Sequence, residues 1–242
     1  MNTSQTLAVF KREFLGYFRS PVAYVFLVAF LVAGVALAFF VGDFFGGNQA
    51  SLERYFMFYP WLFLFFIPAA GMRLWSEEKR SGTIELLFTL PVTTLDAVLG
   101  KYLAAWAFLL LAILLSFPMV ITVGYLGHPD WGVIATSYLG SFLMAGSYLG
   151  ICSFTSALTK NQVISFVVSV LVCVVLVFLG WSVFSPILEA VLPVRAVDLL
   201  ANFSFITHFE GFLRGIVDLK DVVFYLSLTG FSLFLNVVVL ER

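Results

Sequence analysis

The sequence predicts an all-α, polytopic membrane protein with six transmembrane helices. Of its 242 residues, 62% are hydrophobic and only 11% are charged, whereas soluble domains carry about 25% charged residues. A soluble core cannot bury that much apolar surface in a chain of this length. The charged residues are also unevenly spread, since six long stretches contain no Asp, Glu, Lys or Arg.

Each uncharged stretch is long enough, or nearly long enough, to cross a bilayer. A helix rises 1.5 Å per residue, so a hydrocarbon core of about 30 Å needs roughly 20 apolar residues. We therefore predict a single transmembrane domain over residues 1–242. Its spans are expected at about 21–42, 55–74, 101–126, 131–158, 161–185 and 221–240.

The segment before the first span has the pattern of an amphipathic helix. Apolar residues recur near helical spacing on one face, and charged residues group on the other: Leu7, Phe10, Phe14 and Phe18 against Lys11, Arg12 and Glu13. We predict an interfacial helix over residues 6–18 that lies on the membrane surface. The alternative is a merely solvated leader.

The connection between the second and third spans, residues 76–94, is the most informative segment. A dense charge cluster, Glu77-Glu78-Lys79-Arg80, precedes a turn at Ser81-Gly82. A short apolar-periodic stretch with Ile84, Leu87 and Phe88 follows, and Pro91 ends it. A helix this short does not span, so its apolar face must be buried against membrane lipid or a partner protein. The periodicity does not separate these two alternatives.

A second long connection, residues 189–220, precedes the last span. It is too apolar for a free loop and too interrupted by charged residues to span the membrane. We predict one or two short re-entrant or interfacial helices here, which dip into the outer leaflet or pack on the bundle.

The distribution of Lys and Arg predicts the orientation. With six spans, nine positive residues lie on the side of the two termini and four on the opposite side. The nine are Lys11, Arg12, Arg19, Arg73, Lys79, Arg80, Lys101, Lys160 and Arg242. The four are Arg54, Arg195, Arg214 and Lys220. The positive-inside rule therefore places both termini in the cytoplasm.

Several classes of function are excluded or disfavoured. The net charge of −1 gives no basic excess with which to bind nucleic acid. Gly100-Lys101 does not belong to a phosphate-binding loop, because Leu95 and Tyr102 stand where such a loop needs Gly and Ser or Thr. We therefore expect a non-enzymatic chain that binds no ATP, magnesium or other cofactor itself.

The cysteines and histidines do not indicate a metal site. Cys152 and Cys173 lie in apolar stretches and are expected to be core residues. His128 and His208 have no metal-ligand or triad spacing, and we expect both at the surface.

No uncharged stretch holds an ionisable residue of the kind that couples proton or sodium flow to transport. The small residues over 137–150 are typical of close helix packing, although a partner subunit or a substrate path is the alternative. If the protein moves a substrate uphill, the energy must come from another chain.

Four segments carry a more specific pattern. They are Lys11-Arg12-Glu13-Phe14-x-x-Tyr17-Phe18-x-Ser20-Pro21, Met72-Arg73-x-x-Ser76-Glu77-Glu78-Lys79-x-x-Gly82-Thr83-x-Glu85-Leu86-Leu87, Leu99-Gly100-Lys101, and His208-Phe209 with Arg214-Gly215-x-x-Asp218 and Asp221-Val222. Over nearly its whole length the chain resembles the permease subunit of type-2 ABC exporters. The last of these segments resembles the gliding-motility-associated branch of that family.

The resemblance implies the partners and the site. In such permeases the 76–94 connection is a coupling helix that binds a cytoplasmic ABC ATPase dimer, which holds the ATP and Mg²⁺. The implied contact residues are Glu77, Glu78, Lys79, Arg80, Gly82, Thr83 and Glu85, with Lys11, Arg12, Glu13 and Phe14 on the interfacial helix. A second permease copy or related subunit, an auxiliary protein with a large extracytoplasmic domain, and the bacterial inner membrane complete the expected setting.

Two alternatives to an exporter remain. A non-transporting mechanotransmitter would relay ATPase strokes to an extracytoplasmic partner with the same permease sequence. An ATP-independent channel is disfavoured, because it leaves the 76–94 connection unexplained.

Overall fold

The computed structural model describes residues 3–44, 51–89, 92–184, 186, 189–190 and 193–241. These residues form helices and contain no strand. The helices of the first half are α1 (Thr3–Arg19), α2 (Pro21–Ala36, continued by a π-helical turn over Leu37–Val41), α3 (Glu53–Phe56), α4 (Tyr59–Gly71), α5 (Ser76–Ser81), α6 (Thr83–Thr89) and α7 (Thr94–Leu114). Those of the second half are α8 (Phe117–Leu126), α9 (Trp131–Leu158), α10 (Gln162–Phe178), α11 (Val194–Ala201), α12 (Phe205–Leu213) and α13 (Leu219–Leu240).

Four helical stretches are long and apolar enough to cross a membrane: Pro21–Val41, Thr94–Leu126, Trp131–Leu158 and Leu219–Leu240. The helices at the second and fifth predicted spans are shorter, since α4 has 13 residues and α10 has 17. A multi-pass membrane protein is therefore supported, whereas the count of six spans stays a prediction.

Helix α9 is the central element of the bundle. It is the least apolar of the four long stretches and the most buried. Small residues on α9 and on its neighbour α4 allow close packing. A Cβ added at Gly140 of α9 would lie 2.5 Å from the Phe212 ring, and one added at Gly71 of α4 would lie 2.6 Å from Cys152 of α9. Because neighbouring helices cover α9, its serines bond to protein rather than facing lipid.

Hydrogen bonds from α9 fix the direction of its neighbours. Tyr102 of α7 donates to the carbonyl of Gly146 (3.0 Å), and Trp106 donates to that of Phe142 (3.0 Å), so α7 runs antiparallel to α9. Ser147 donates to the Tyr225 carbonyl (2.9 Å), and Asn236 donates to Ser153, so α13 runs parallel to α9. The predicted core positions of Cys152 and Cys173 are confirmed, since both are free and fully buried.

The connection before the last span packs on the bundle, as one of the predicted alternatives requires. Helix α12 lies along α9, where Phe205 stacks on Tyr148 with ring centroids 4.2 Å apart. At the other end of α12, Thr136 donates to the carbonyl of Phe212 (2.8 Å). Burying these phenylalanines explains why a stretch too short to span is so apolar.

Helix α1 includes residues 6–18, but it does not present all of the predicted faces. It packs along the first half of α7, with Val9 against Gly100 and Tyr17 stacked on Phe108 at 4.7 Å. Leu7 is half exposed, whereas Glu13 points inward to α7. The prediction that Glu13 shares the outer polar face is therefore wrong, because a buried cation on α7 attracts it.

Candidate functional site

The 76–94 connection contains two short helices joined by the predicted turn. Helix α5 ends at Gly82, whose φ of 74° lies in the left-handed region that glycine adopts without a steric cost. On either side of that glycine, the Ser81 and Thr83 hydroxyls are 2.8 Å apart. Leu90 and Pro91 lie outside the described residues, as do the side chains of Leu87 and Phe88.

The start of the connection is fixed to α9. The backbone N–H groups of Trp75 and Ser76 both donate to the Ser156 hydroxyl, at 3.0 and 3.1 Å. That hydroxyl donates in turn to the Met72 carbonyl at 2.9 Å. The fully buried Trp75 indole donates to Ser153 (3.3 Å). One α9 hydroxyl thus satisfies the first free N–H groups of α5, which has no side-chain cap of its own.

We expect Ser156→Val to loosen this attachment by about 1–3 kcal/mol, because two buried N–H groups lose their acceptor. The measurements are the midpoint of thermal unfolding in detergent and the rate of trypsin cleavage after the exposed Arg80. Ser227→Val is the matched control, since Ser227 is exposed and bonds within its own helix. An equal effect of both variants would contradict the attachment.

A buried lysine joins three elements at the same end of the bundle. Only 4% of the Lys101 side chain is exposed. Its ammonium lies 2.8 Å from Glu78 Oε1 on α5 and 3.5 Å from Glu13 Oε1 on α1. It also donates to the Leu74 carbonyl (3.1 Å) and lies 5.1 Å from the centre of the Trp75 ring. The three N–H donors of the ammonium are thus matched by three oxygens.

The carboxylates around Lys101 differ in their surroundings. Burial raises the pKa of Glu13, but the charge of Lys101 and the hydrogen bond and charge of Arg12 outweigh it, and the pKa lies below its usual value. Glu78 is ion-paired through Oε1, while its buried Oε2 has no hydrogen-bond partner among the described residues. The negative charge of Glu78 therefore depends on a single cation.

A second buried carboxylate joins α1 to α7. Asp96 is fully buried and accepts hydrogen bonds from Thr6 of α1 (2.9 Å) and from Thr93 (2.6 Å). Thr93 also caps the first turn of α7. Helix α1 is therefore held along its length, by Asp96 near one end and Lys101 near the middle.

The remaining predicted contact residues are divided between two faces. Glu77, Arg80, Gly82, Thr83 and Glu85 are exposed, as are Lys11 and Arg12. Lys79 turns inward and donates to the Ala157 carbonyl. Partial burial, with repulsion from Lys160, lowers the pKa of Lys79. Phe14 and Ile84 are half-buried and pack against the core.

A second polar pair lies at the opposite end of the bundle. His208 Nδ1 is 2.6 Å from Asp221 Oδ1, and Nε2 is 2.8 Å from the carbonyl oxygen of Asn202. The prediction of a surface His208 is wrong, since only 2% of it is exposed, whereas His128 is exposed as predicted. Both ring nitrogens of His208 face oxygen atoms, so these two contacts fix the orientation of the ring.

Sequence reasoning placed neither Lys101 nor the His208–Asp221 pair at a site. The position of Lys101 in the sequence does indicate a buried contact, because a single cation near the start of a long apolar helix must find oxygen partners within the protein. In the part of the chain that the structure describes, no group of three or more His, Cys, Asp or Glu side chains could hold a metal ion.

The comparison with protein families agrees with this architecture. Residues 26–240 match the model of a family described as ABC-2 family transporter protein. No curated protein matches the chain. The family comprises membrane transport subunits that associate with an ATPase subunit. The match covers most of the helical bundle, and the chain therefore belongs to the ABC-2 transporter family, as a permease component of an ABC transporter.

Proposed function

We propose that this chain is the permease subunit of an ATP-driven exporter, in which the 76–94 connection acts as the coupling helix. The observation that carries the proposal is the two-faced construction of that connection. Its inner face is fixed to α7 and α9 by Glu78, Trp75 and Ser76. Its outer face presents charged side chains that have no ion pair within the described residues: Arg80 and Glu85.

Such a construction suits the transmission of force. A push on the outer face passes through the Glu78–Lys101 ion pair to α7 and through the Ser156 hydrogen bonds to α9. Because α9 contacts α4, α7, α10, α12 and α13, movement at its end displaces the rest of the bundle. Close-packed interiors transmit such displacements rather than absorbing them.

The roles of the two glutamates then differ. Glu78 is half-buried and ion-paired to the buried Lys101, so it positions the connection and does not itself reach the ATPase. Glu85 is exposed and lies in the first turn of α6, where a carboxylate suits the helix dipole. Arg80 and Glu85 are therefore the direct contacts we assign to the ATPase, with Lys11 and Arg12 of α1 beside them.

The rest of the proposed assembly rests on the resemblance to type-2 ABC exporters and on the distribution of charge. Both termini and the 76–94 connection face the cytoplasm of a bacterial inner membrane, in agreement with the excess of Lys and Arg at that end. Two ABC ATPase chains bind ATP and Mg²⁺ there, and a second permease copy or related subunit completes the pore. The gliding-motility-like branch adds an auxiliary protein on the outer side, near α11 and α12.

The test is a double charge reversal, Arg80→Glu with Glu85→Lys. Exposed ion pairs contribute about 0.2–1 kcal/mol each, so we expect the affinity for the ATPase to fall by about 2–30-fold. The measurements are co-purification of the ATPase and ATP hydrolysis by the complex as a function of salt. The effect should diminish at high salt, because screening weakens exposed pairs.

Glu53→Lys serves as the control, since Glu53 is exposed at the opposite end of the bundle. It should leave assembly unchanged. Normal assembly and normal hydrolysis in the double reversal, with the permease correctly inserted, would contradict the proposed coupling role.

A further inference from the structure

A cavity of about 340 Å³ lies at the end of the bundle that carries Lys101. Its apolar wall is formed by α1, α2, α4 and α7, and includes Tyr17, Phe26, Ala70 and Phe108. Its volume falls within the range of about 300–1,000 Å³ typical of small-molecule sites. The cavity is therefore large enough for a ligand of that class.

The cavity lies between the first turn of α2 and the last turns of α4. Val22 and Ala23 in the first turn of α2 line it, as do Ala69 and Ala70 in the last turns of α4. A helix long enough to span thus starts where the apolar helix α4 ends. The N-terminus of α2 also places the positive end of a helix dipole at the cavity.

The charges at the cavity mouth are balanced. Four charged side chains line it, namely Glu13, Arg73, Glu77 and Lys101. Lys101 is already compensated by Glu78 and Glu13. That leaves Arg73 and Glu77, which are exposed and form no ion pair within the described ranges. The site thus offers one free cation and one free carboxylate above an apolar wall.

We propose that this cavity binds the headgroup of one phospholipid, a zwitterionic headgroup that ends in a primary ammonium, as in phosphatidylethanolamine. The phosphate lies between Arg73 and the N-terminus of α2, the ammonium contacts Glu77, and an acyl chain follows Phe26 and Phe108. A purely anionic headgroup leaves Glu77 facing a negative charge. A choline headgroup has no N–H with which to hydrogen-bond a carboxylate.

The experiment uses the full-length protein in detergent. Phosphatidylethanolamine, phosphatidylcholine and phosphatidylglycerol with identical acyl chains are titrated separately, and bound lipid is counted by native mass spectrometry. We expect one phosphatidylethanolamine to bind about tenfold more tightly than either competitor, because only its headgroup both offers a phosphate to Arg73 and donates an N–H to Glu77.

Two variants and a control locate the site. Ala70→Phe fills the cavity and should abolish this binding, and Arg73→Gln should weaken it about tenfold by removing a charge-assisted hydrogen bond. Ala107→Phe is the control, because Ala107 lines a separate groove between α1, α7 and α9 whose wall has no charged residue. It should leave the preference intact.

Two results would overturn the proposal. One is equal binding of the three lipids by the unmodified protein. The other is an unchanged affinity for phosphatidylethanolamine in Arg73→Gln, a surface substitution that leaves the packing in place even if Ala70→Phe does not fold.

Discussion

Replacing Lys101 with Met should lower the free energy of unfolding by about 3–5 kcal/mol, because the half-buried Glu78 then loses the one cation that pairs with it among the described residues. Glu13 lies on the same ammonium, so the substitution also leaves two carboxylates close together. The measurements are the unfolding midpoint in detergent and trypsin cleavage after Arg80, which should become faster as α5 comes away from α7.

A double variant separates the charge from the loss of side-chain packing. Adding Glu78→Gln to Lys101→Met removes the uncompensated buried charge and should recover part of the lost stability. Lys11→Met is the control, since Lys11 is exposed on α1. If Lys101→Met unfolds at the same temperature as the unmodified protein, the ion pair does not secure the connection.

The second large effect is expected at the opposite end of the bundle, for Asp221→Leu. This substitution removes a hydrogen-bond partner from a buried histidine and should cost about 1–3 kcal/mol. Helix α12 would then separate from α13, so trypsin should cleave faster after the exposed Arg214 and Lys220.

Asp221→Asn should be much milder. A neutral imidazole can keep its N–H on Nε2, toward the Asn202 carbonyl, and accept the new amide N–H at Nδ1. Asp218→Leu is the control, because Asp218 is exposed beside the same helix. Equal cleavage rates in Asp221→Leu and Asp218→Leu would refute a structural role for the pair.

Much of the fold is predictable from the sequence because bilayer physics acts locally. The apolar stretch over 131–158 coincides with α9, and the amphipathic pattern over 6–18 lies within α1. The turn at Gly82 is predictable because its positive φ is a conformation that glycine adopts most readily. Length is less predictable: α10 ends at Phe178 although the uncharged stretch continues, since hydropathy alone does not determine where a helix ends.

The candidate site is only partly predictable, because its decisive contacts join distant residues. The sequence shows the charge cluster at Glu77–Arg80, but it does not show which side chains of the cluster turn inward. Glu78 meets Lys101 only once α5 has folded against α7. His208 was expected at the surface because nothing local shows that α12 and α13 bury it together. Periodicity describes one helix, whereas these pairs depend on how two helices meet.

The attachment of α5 to α9 also sets an order during synthesis. Ser156, which accepts the N–H of Ser76, follows it by 80 residues in the chain. Chains are made from the N-terminus, so the 76–94 connection has left the ribosome before Ser156 is synthesised. A nascent chain therefore carries this connection unattached until α9 has been inserted. An ATPase that recognises the connection only when it is attached to α9 will bind completed permeases and will not bind incomplete ones.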